Sequence, residues 1–354
     1  MNSDIWQSLL NLESRDIVSE WFETIHGRQL NARRAREITA SARQGREYFR
    51  SASSSSFAVR PLLAFYGVAS LCRALTLLHR RDSGEEGLKQ GHGLKTVGWS
   101  TTLTNDIAAS LKSLRHLRVG TCEGLFSDLA AAINSRNSLP FYDRHVRIPR
   151  YAEAQLGQNV SLYEIMSRLP DLRMVKTDDD PYKWIRVKDF EYSPLTGAKI
   201  IIYGKPDVFV CKEYENSGYV VADHKEEYSN DTFTSLTIGL SGYLSYTPQF
   251  LDTRIRRTMG GHPSPYLISK FGSNTTLSQI SVTYIASYIL GMLARYNPTH
   301  WSALMMGEKG DAIWPNINAL QNYIETALPE LVLEMISDSV FGHDEEELDT
   351  ETPD

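Results

Sequence analysis

The chain has 354 residues, 42% of them hydrophobic and 10% aromatic, which suits a globular protein with a sizeable core, built as two domains or as one domain with a large insertion. Its formal net charge is −6, so a strongly basic stretch within it is a local and informative feature. Cys72, Cys122 and Cys211 are odd in number and far apart, which excludes a disulfide framework and a cysteine-based zinc site and makes the reduced cytoplasm the natural home.

The opening MNSDIWQSLL has neither a basic region nor a long apolar run, so no signal peptide is expected. No apolar run is expected to reach the roughly 18 residues that span a bilayer, and so no membrane is expected among the partners. P-loop, GxGxxG, GxSxG and HExxH motifs are absent from the sequence.

Residues 4–30 read as one or two short helices, with Trp6, Leu9, Leu10 and Trp21 as core contacts. Two longer helices follow from Asn31 to His79. In the first, Ala35, Ile38, Ala42, Gly45, Phe49 and Ala52 step by three and four along one side. The small residues there predict a close approach by a partner helix. Arg36, Arg43, Arg46 and Arg50 lie within about 80° of one another, well off that line. The serines from Ser53 to Ser56 are expected to break this helix and cap the next, which has Pro61 in its first turn. From Leu62 to Leu78 the second helix carries one charge, Arg73, as a helix at the centre of a bundle would. Between Gly27 and Arg81, eleven arginines and two glutamates with no lysine give a local balance of +9.

Residues 80–99 read as a glycine- and charge-rich loop ending in an apolar knot of Leu94, Val97 and Trp99. Residues 102–135 resume a helical pattern, broken at Gly120. From Pro140 to Tyr228 the texture is strand-like: 145–148 and 184–188 alternate with period two, and 199–203, 207–210 and 219–222 are β-rich. The last two are expected to form a hairpin through the turn 215–218. Residues 229–275 are mixed. Ile280, Tyr284, Tyr288, Met292 and Tyr296 then step by four along a helix capped by Asn274-Thr-Thr and stopped by Pro298. A last amphipathic helix spans about 315–338, and from Glu334 onward nine acids with no Lys or Arg predict a solvated, disordered tail.

The segments REYFRSASSSSFAVRPLLAFYGVASLCRAL, GHGL and YILGMLARYNPTHW resemble the YaaC-like family of bacterial proteins. The resemblance touches most of the chain, but its motifs are mainly packing residues and name no chemistry. More distantly, a Tyr-rich apolar helix followed by a His-containing loop is similar to HEPN helical bundles, several of which are metal-independent ribonucleases with an Arg-x4-6-His pair at a dimer interface. The resemblance implies an α+β protein. Its mainly α-helical, HEPN-like bundle would come from residues 1–138 and 261–342, with a β-rich insertion at 139–260 and the acidic tail at 343–354. It also implies a homodimer acting on nucleic acid (RNA or DNA) or nucleotides in phage defence or stress, with a partner protein of a defence system.

Arg295 and His300 satisfy that Arg/His spacing, a guanidinium to hold a phosphate and an imidazole to move a proton, with Pro298 ending the helix and freeing His300 to fold back. The ordinary alternative is a helix-capping arginine and a surface histidine. Arg73 and His79 also fit the spacing, but six steps along a helix leave them about 120° apart, so a buried Arg73 with a distant His79 is set aside. Asp207, Asp223 and Lys225, on the expected hairpin, resemble the PD-(D/E)xK nuclease signature, in which two carboxylates hold Mg2+ or Mn2+ and the lysine polarises water or phosphate. Glu164 would be a third acid. Such residues are also ordinary at strand ends. The arginines at 36, 43, 46 and 50 offer a track for phosphates, or else a solvated face paired with acids such as the tail. His92, between two glycines, would approach a ligand closely or hold a tight loop. The alternative to a nuclease is a non-catalytic scaffold or sensor binding a partner protein, nucleic acid or nucleotide through the arginine-rich helix.

Overall fold

Polar caps delimit the N-terminal helices of the computed structural model, which describes residues 3–133, 137–141, 144–148, 156–172, 183–193, 197–203, 212, 214–216, 218–225, 232–238, 254–258, 264–272 and 277–341. After α1, Ser3–Leu9, the Ser14 side chain accepts from the Ile17 amide and opens α2, Arg15–His26, which Gly27 closes at φ 64°. Asn31 caps α3, Ala32–Ser54, and α4, Arg60–His79, has its proline in the first turn. The helix pair is as expected from the sequence, with two differences at the junction. Ser53 and Ser54 remain helical, and α4 starts after Val59 with no side-chain cap.

The apolar line read from α3 is its buried side: Ala35, Ile38, Ala42, Gly45, Phe49 and Ala52 are all buried. Glycines let the pair approach. A Cβ on Gly45 would lie 2.8 Å from Leu71 Cγ, and one on Gly67 would lie 2.7 Å from the Phe49 ring. Buried Arg34 of α3 crosses the C-terminal end of α4 and donates to the carbonyls of Leu77 (3.4 Å), Arg80 and Arg81 (2.9 Å), with its guanidinium 4.7 Å over the Phe22 ring. It satisfies acceptors that a helix end leaves open.

Between the N- and C-terminal helices lie α5, Trp99–Thr102; α6, Ile107–Ser113; α7, Leu125–Ile133; and α8, Leu162–Arg168. The closing helices are α9, Gln279–Tyr296; α10, Pro298–Met305; and α11, Trp314–Phe341. Helix α9 is buried at every position from Gln279 to Ala294, and Gly291 brings it against α4: a Cβ there would meet Phe65 Cβ at 2.9 Å. Its cap is Ser278, whose side chain accepts from Ser281. Helix α11 carries Pro329 inside it and is joined to the start of α4 by a two-pronged pair, Arg60 to Glu325 at 2.6 and 2.7 Å. One hydrophobic core runs through both ends of the chain, with Leu71, Leu75 and Leu78 beside Tyr284, Leu293, Tyr323 and Leu328.

The sequence expectation that no run could span a bilayer needs correction. Arg60–His79 is 20 residues long and contains an 18-residue window with a mean hydropathy of 1.6, enough to cross one by length and composition. In this fold 72% of that apolar window is buried inside the protein.

The strands are β1, His92–Val97; β2, Arg118–Gly124; β3, Asn137–Phe141; β4, Arg144–Ile148; β5, Asn159–Ser161; β6, Trp184–Ser193; β7, Gly197–Tyr203; β8, Val220–Lys225; β9, Thr232–Ile238; β10, Arg254–Arg256; and β11, Pro265–Ile268. They pair antiparallel in three sheets: β1-β2-β5, β3-β4, and a six-stranded sheet in the order β10-β11-β6-β7-β9-β8. The chain is thus mixed α+β with a helical majority. Two expectations change. The knot after the charged loop is strand β1, and the stretch expected to be helical contains β2, because the two pair with each other and bury Leu94 and Val119. Strand β8 pairs with the following β9, and Lys212, Tyr214 and Glu215, at and before the expected turn, are helical. The segment 207–210 lies outside the described residues.

The six-stranded sheet is tied to the helices at its β10 end. Arg256 lies between Glu330 (3.3 Å) and Glu334 (2.9 Å), one turn apart on α11, while the Gln279 side chain accepts from its amide (2.9 Å) and donates to its carbonyl (2.7 Å).

The close approach of α3 and α4 gives a direct test. Gly67→Ala should lower stability by about 1–3 kcal/mol through overpacking against Phe49, although at an open helical site the same change gains about 1 kcal/mol. Adding Phe49→Leu should recover part of the loss. A urea midpoint that rises in Gly67→Ala alone would overturn this packing.

Candidate functional site

Helical spacing brings together side chains that are far apart in the chain. On α4, Tyr66 and Arg73 are seven residues apart, two turns along one side; on α9, Tyr288 and Arg295 repeat that spacing. Strand β1 enters beside them. Gly91 (φ 84°) and Gly93 (φ 76°) turn the chain on both sides of His92, and a Cβ on Gly93 would meet the Phe126 amide at 2.7 Å. The Tyr284 hydroxyl donates to the His92 carbonyl at 3.0 Å. The His92 ring then stands edge-on to Phe65, with centroids 4.9 Å apart, and 6.1 Å from Tyr288.

The electrostatics of this corner are unusual. Burial pushes the His92 pKa down from the ordinary histidine value, and the charges of Arg295 and then Arg73 push it further the same way. Both effects favour the uncharged imidazole, and among the described residues its ring nitrogens make no hydrogen bond. Arg295 is exposed, donates from Nη1 to the Tyr66 hydroxyl at 2.8 Å, and lies 4.9 Å over the Tyr296 ring. Arg73 is turned outward with its side chain 42% exposed, 3.8 Å from Glu85. Two guanidiniums and a neutral imidazole suit a phosphate group: the guanidiniums bind it, and the imidazole takes a proton.

The structure distributes the other sequence candidates. Pro298 does end α9, but as the first residue of α10. His300 accordingly sits in the first turn of that helix, its Nε2 donating to the Thr104 carbonyl at 3.0 Å, while Arg295 is engaged with Tyr66. Arg73 and His79 are separated as expected, but with burial reversed: His79 is the buried member, between the Leu75 carbonyl (3.0 Å) and Ser339 Oγ (2.8 Å).

The arginine face of α3 is divided. Arg43 (3.3 Å) and Arg46 (2.6 and 3.2 Å) converge on Glu13 in the 3-10 turn Leu10–Glu13, and Arg46 also meets Glu47 at 3.1 Å. Arg36 donates to its own helix at the Ala32 carbonyl (3.2 Å); it and Arg50 are exposed. Asp223 and Lys225 are on β8, opposite Thr234 and Thr232, at the edge of the six-stranded sheet. Asp207 lies outside the described residues. Glu164 is fully engaged as the capping-box residue of α8, accepting from Ser161 and from the Gly272 amide at 2.9 Å. No group of three or more His, Cys, Asp or Glu side chains able to hold a metal ion occurs among the described residues.

The sequence reading missed Tyr66, Tyr288 and Tyr296 as members of a site, and it set Arg73 aside. The matching seven-residue spacings on the two helices were the signal available.

Comparison with known proteins gives one family. No curated protein and no solved structure matches the chain. The model of the YaaC-like protein family matches residues 11–336, from the turn before α2 to the last turns of α11, and the chain belongs to that family.

Proposed function

We propose that this protein recognises the phosphates of nucleic acid or nucleotides at the corner of His92, Arg295 and Arg73, and cleaves RNA there without a metal, in the cytoplasm. The observation that carries this reading is the half-buried His92 ring, packed edge-on to Phe65 with no hydrogen bond to its nitrogens among the described residues, where the charges of Arg295 and Arg73 favour its uncharged form. Arg295 and Arg73 hold the scissile phosphate. His92 takes the proton of the ribose 2′-OH as its oxygen attacks phosphorus, and the departing 5′-oxygen receives a proton from solvent. The products are a 2′,3′-cyclic phosphate and a 5′-hydroxyl. His92 thus takes the role that local spacing gave to His300, whose ring is committed to the Thr104 carbonyl. The distant HEPN resemblance supports an Arg/His ribonuclease on a helical bundle and rests on sequence.

The metal-dependent alternative uses Asp207, Asp223 and Lys225 with Mg2+ or Mn2+; of these, Asp223 and Lys225 are on β8 and Asp207 lies outside the described residues. Binding alone through the α3 arginines is favoured by the exposure of Arg36 and Arg50 and opposed by the engagement of Arg43 and Arg46 with Glu13.

One assay separates these readings. Labelled RNA and DNA are incubated with wild type, His92→Ala, His300→Ala and Asp223→Ala, with and without EDTA. RNA alone should be cleaved, EDTA should not matter, and His92→Ala should be slower by about 10²–10⁴-fold, the usual share of a general base. Cleavage that dies in EDTA or in Asp223→Ala would transfer the chemistry to the inserted sheet, and no cleavage at all would sink both enzyme readings.

The pH profile tests His92 separately. Its pKa is lowered, so the base stays deprotonated to below the ordinary histidine value, and the acid limb of the rate should lie below about pH 6.5. Removing a neighbouring positive charge raises an imidazole pKa, so Arg295→Gln should move that limb to higher pH as well as weaken phosphate binding. An unmoved limb would mean that Arg295 does not act on His92.

A further inference from the structure

We propose that three tyrosines beside this corner form a stacking surface for unpaired bases, so that the ligand is single-stranded nucleic acid and duplex is excluded. The inference rests on the phosphate-binding reading of the His92–Arg295–Arg73 corner and adds the substrate's form to it.

Three helices each contribute one ring. Tyr296, the last residue of α9, is 63% exposed, directly after a run in which every residue from Gln279 to Ala294 is buried. Arg295 lies 4.9 Å over that ring and is held on its other side by the Tyr66 hydroxyl of α4 at 2.8 Å. The Tyr66 ring is 5.5 Å from that of Tyr48 on α3, with 33° between their planes. A guanidinium thus sits beside two aromatic side chains, with the exposed Tyr296 ring on one helix and the half-buried Tyr66 and Tyr48 rings on two others.

Flat aromatic faces alternating with cations match the alternating bases and phosphates of a single strand. Every base has a π-face, so stacking of this kind is tolerant of sequence. In a duplex those faces are covered by neighbouring base pairs, and only phosphates are presented. A second copy of this chain would also cover Tyr296. The adjacent cations favour the polyanion, because a copy docked by symmetry would bring Arg295 and Arg73 toward their own counterparts.

The test is binding of a fluorescent 12-nucleotide RNA, measured in a His92→Ala background that prevents cleavage. The same length of RNA duplex and an abasic strand of equal phosphate number are compared at one salt concentration. The intact single strand should bind about tenfold more tightly than the abasic strand or the duplex. Tyr296→Leu, which keeps an apolar side chain without the ring, should remove that advantage, while Tyr296→Phe should retain it. Equal affinity for intact and abasic strands, with loss in Arg295→Ala, would overturn stacking while leaving phosphate recognition in place. No binding of any oligonucleotide would overturn both. A halving of the mass in solution in Tyr296→Leu, read by light scattering, would assign the surface to a second copy and overturn the proposal.

Discussion

Helix α4 has no polar face to turn toward water, and the rest of the fold answers that constraint. Most of a 20-residue apolar helix must be covered, and elements from both ends of the chain bury it on every side but the strip that carries Tyr66 and Arg73. Helix α3 approaches through Gly45 and Gly67, and α9 through Gly291, each at a distance that a side chain would forbid. Both ends are fixed by charge: Arg60 by Glu325 at the start, and the terminal carbonyls by Arg34 at the finish. The polar side chains that leave this helix, Tyr66 and Arg73, therefore project from a rigid support. Such support is what a binding constellation needs.

The concentration of arginine around this helix divides into two populations. Arg28, Arg33, Arg60 and Arg80 meet Asp82, Glu37 with Glu86, Glu325 and Asp128, and Arg43 and Arg46 share Glu13. These join loops and neighbouring helices to the pair. The exposed pairs among them contribute little each, whereas the half-buried, two-pronged contact of Arg60 with Glu325 ties α4 to α11. What is left facing solvent without a carboxylate partner among the described residues is sparse: Arg36 and Arg50 on α3, Arg81 after α4, and Arg295 at the end of α9, with Arg73 only loosely held by Glu85. A local charge balance counted along a chain thus overstates the cation available to a ligand.

The helix pair, the periodicity of α9 and the strands at 144–148, 184–193, 197–203 and 220–225 were legible because each depends on residues a few positions apart. Strands β1 and β2 were not. Each contains glycine and charged residues that spoil the alternation, and they are strands because they pair with each other across α5 and α6. The placing of Arg295 and His300 depends on packing in the same way. Arg295 has a histidine five residues on, but Pro298 starts a new helix there and takes His300 to Thr104. The imidazole that senses its charge belongs to a glycine-flanked strand in the N-terminal third. Which histidine accompanies an arginine is decided by tertiary packing, and spacing alone cannot report it.

The order in which α4 and its cover are made has a cost during synthesis. Gln279, which opens α9, follows His79 by 200 residues. At about 5–20 residues per second, roughly 10–40 s pass between the emergence of the most apolar helix and that of the helices that bury it. Through that interval α3 can shield one side, and the remainder is a sticky, membrane-like segment on an unfinished chain. Completion of the core waits for the C-terminal third. A chain cut short before α9 lacks the cover that α9 and α11 supply.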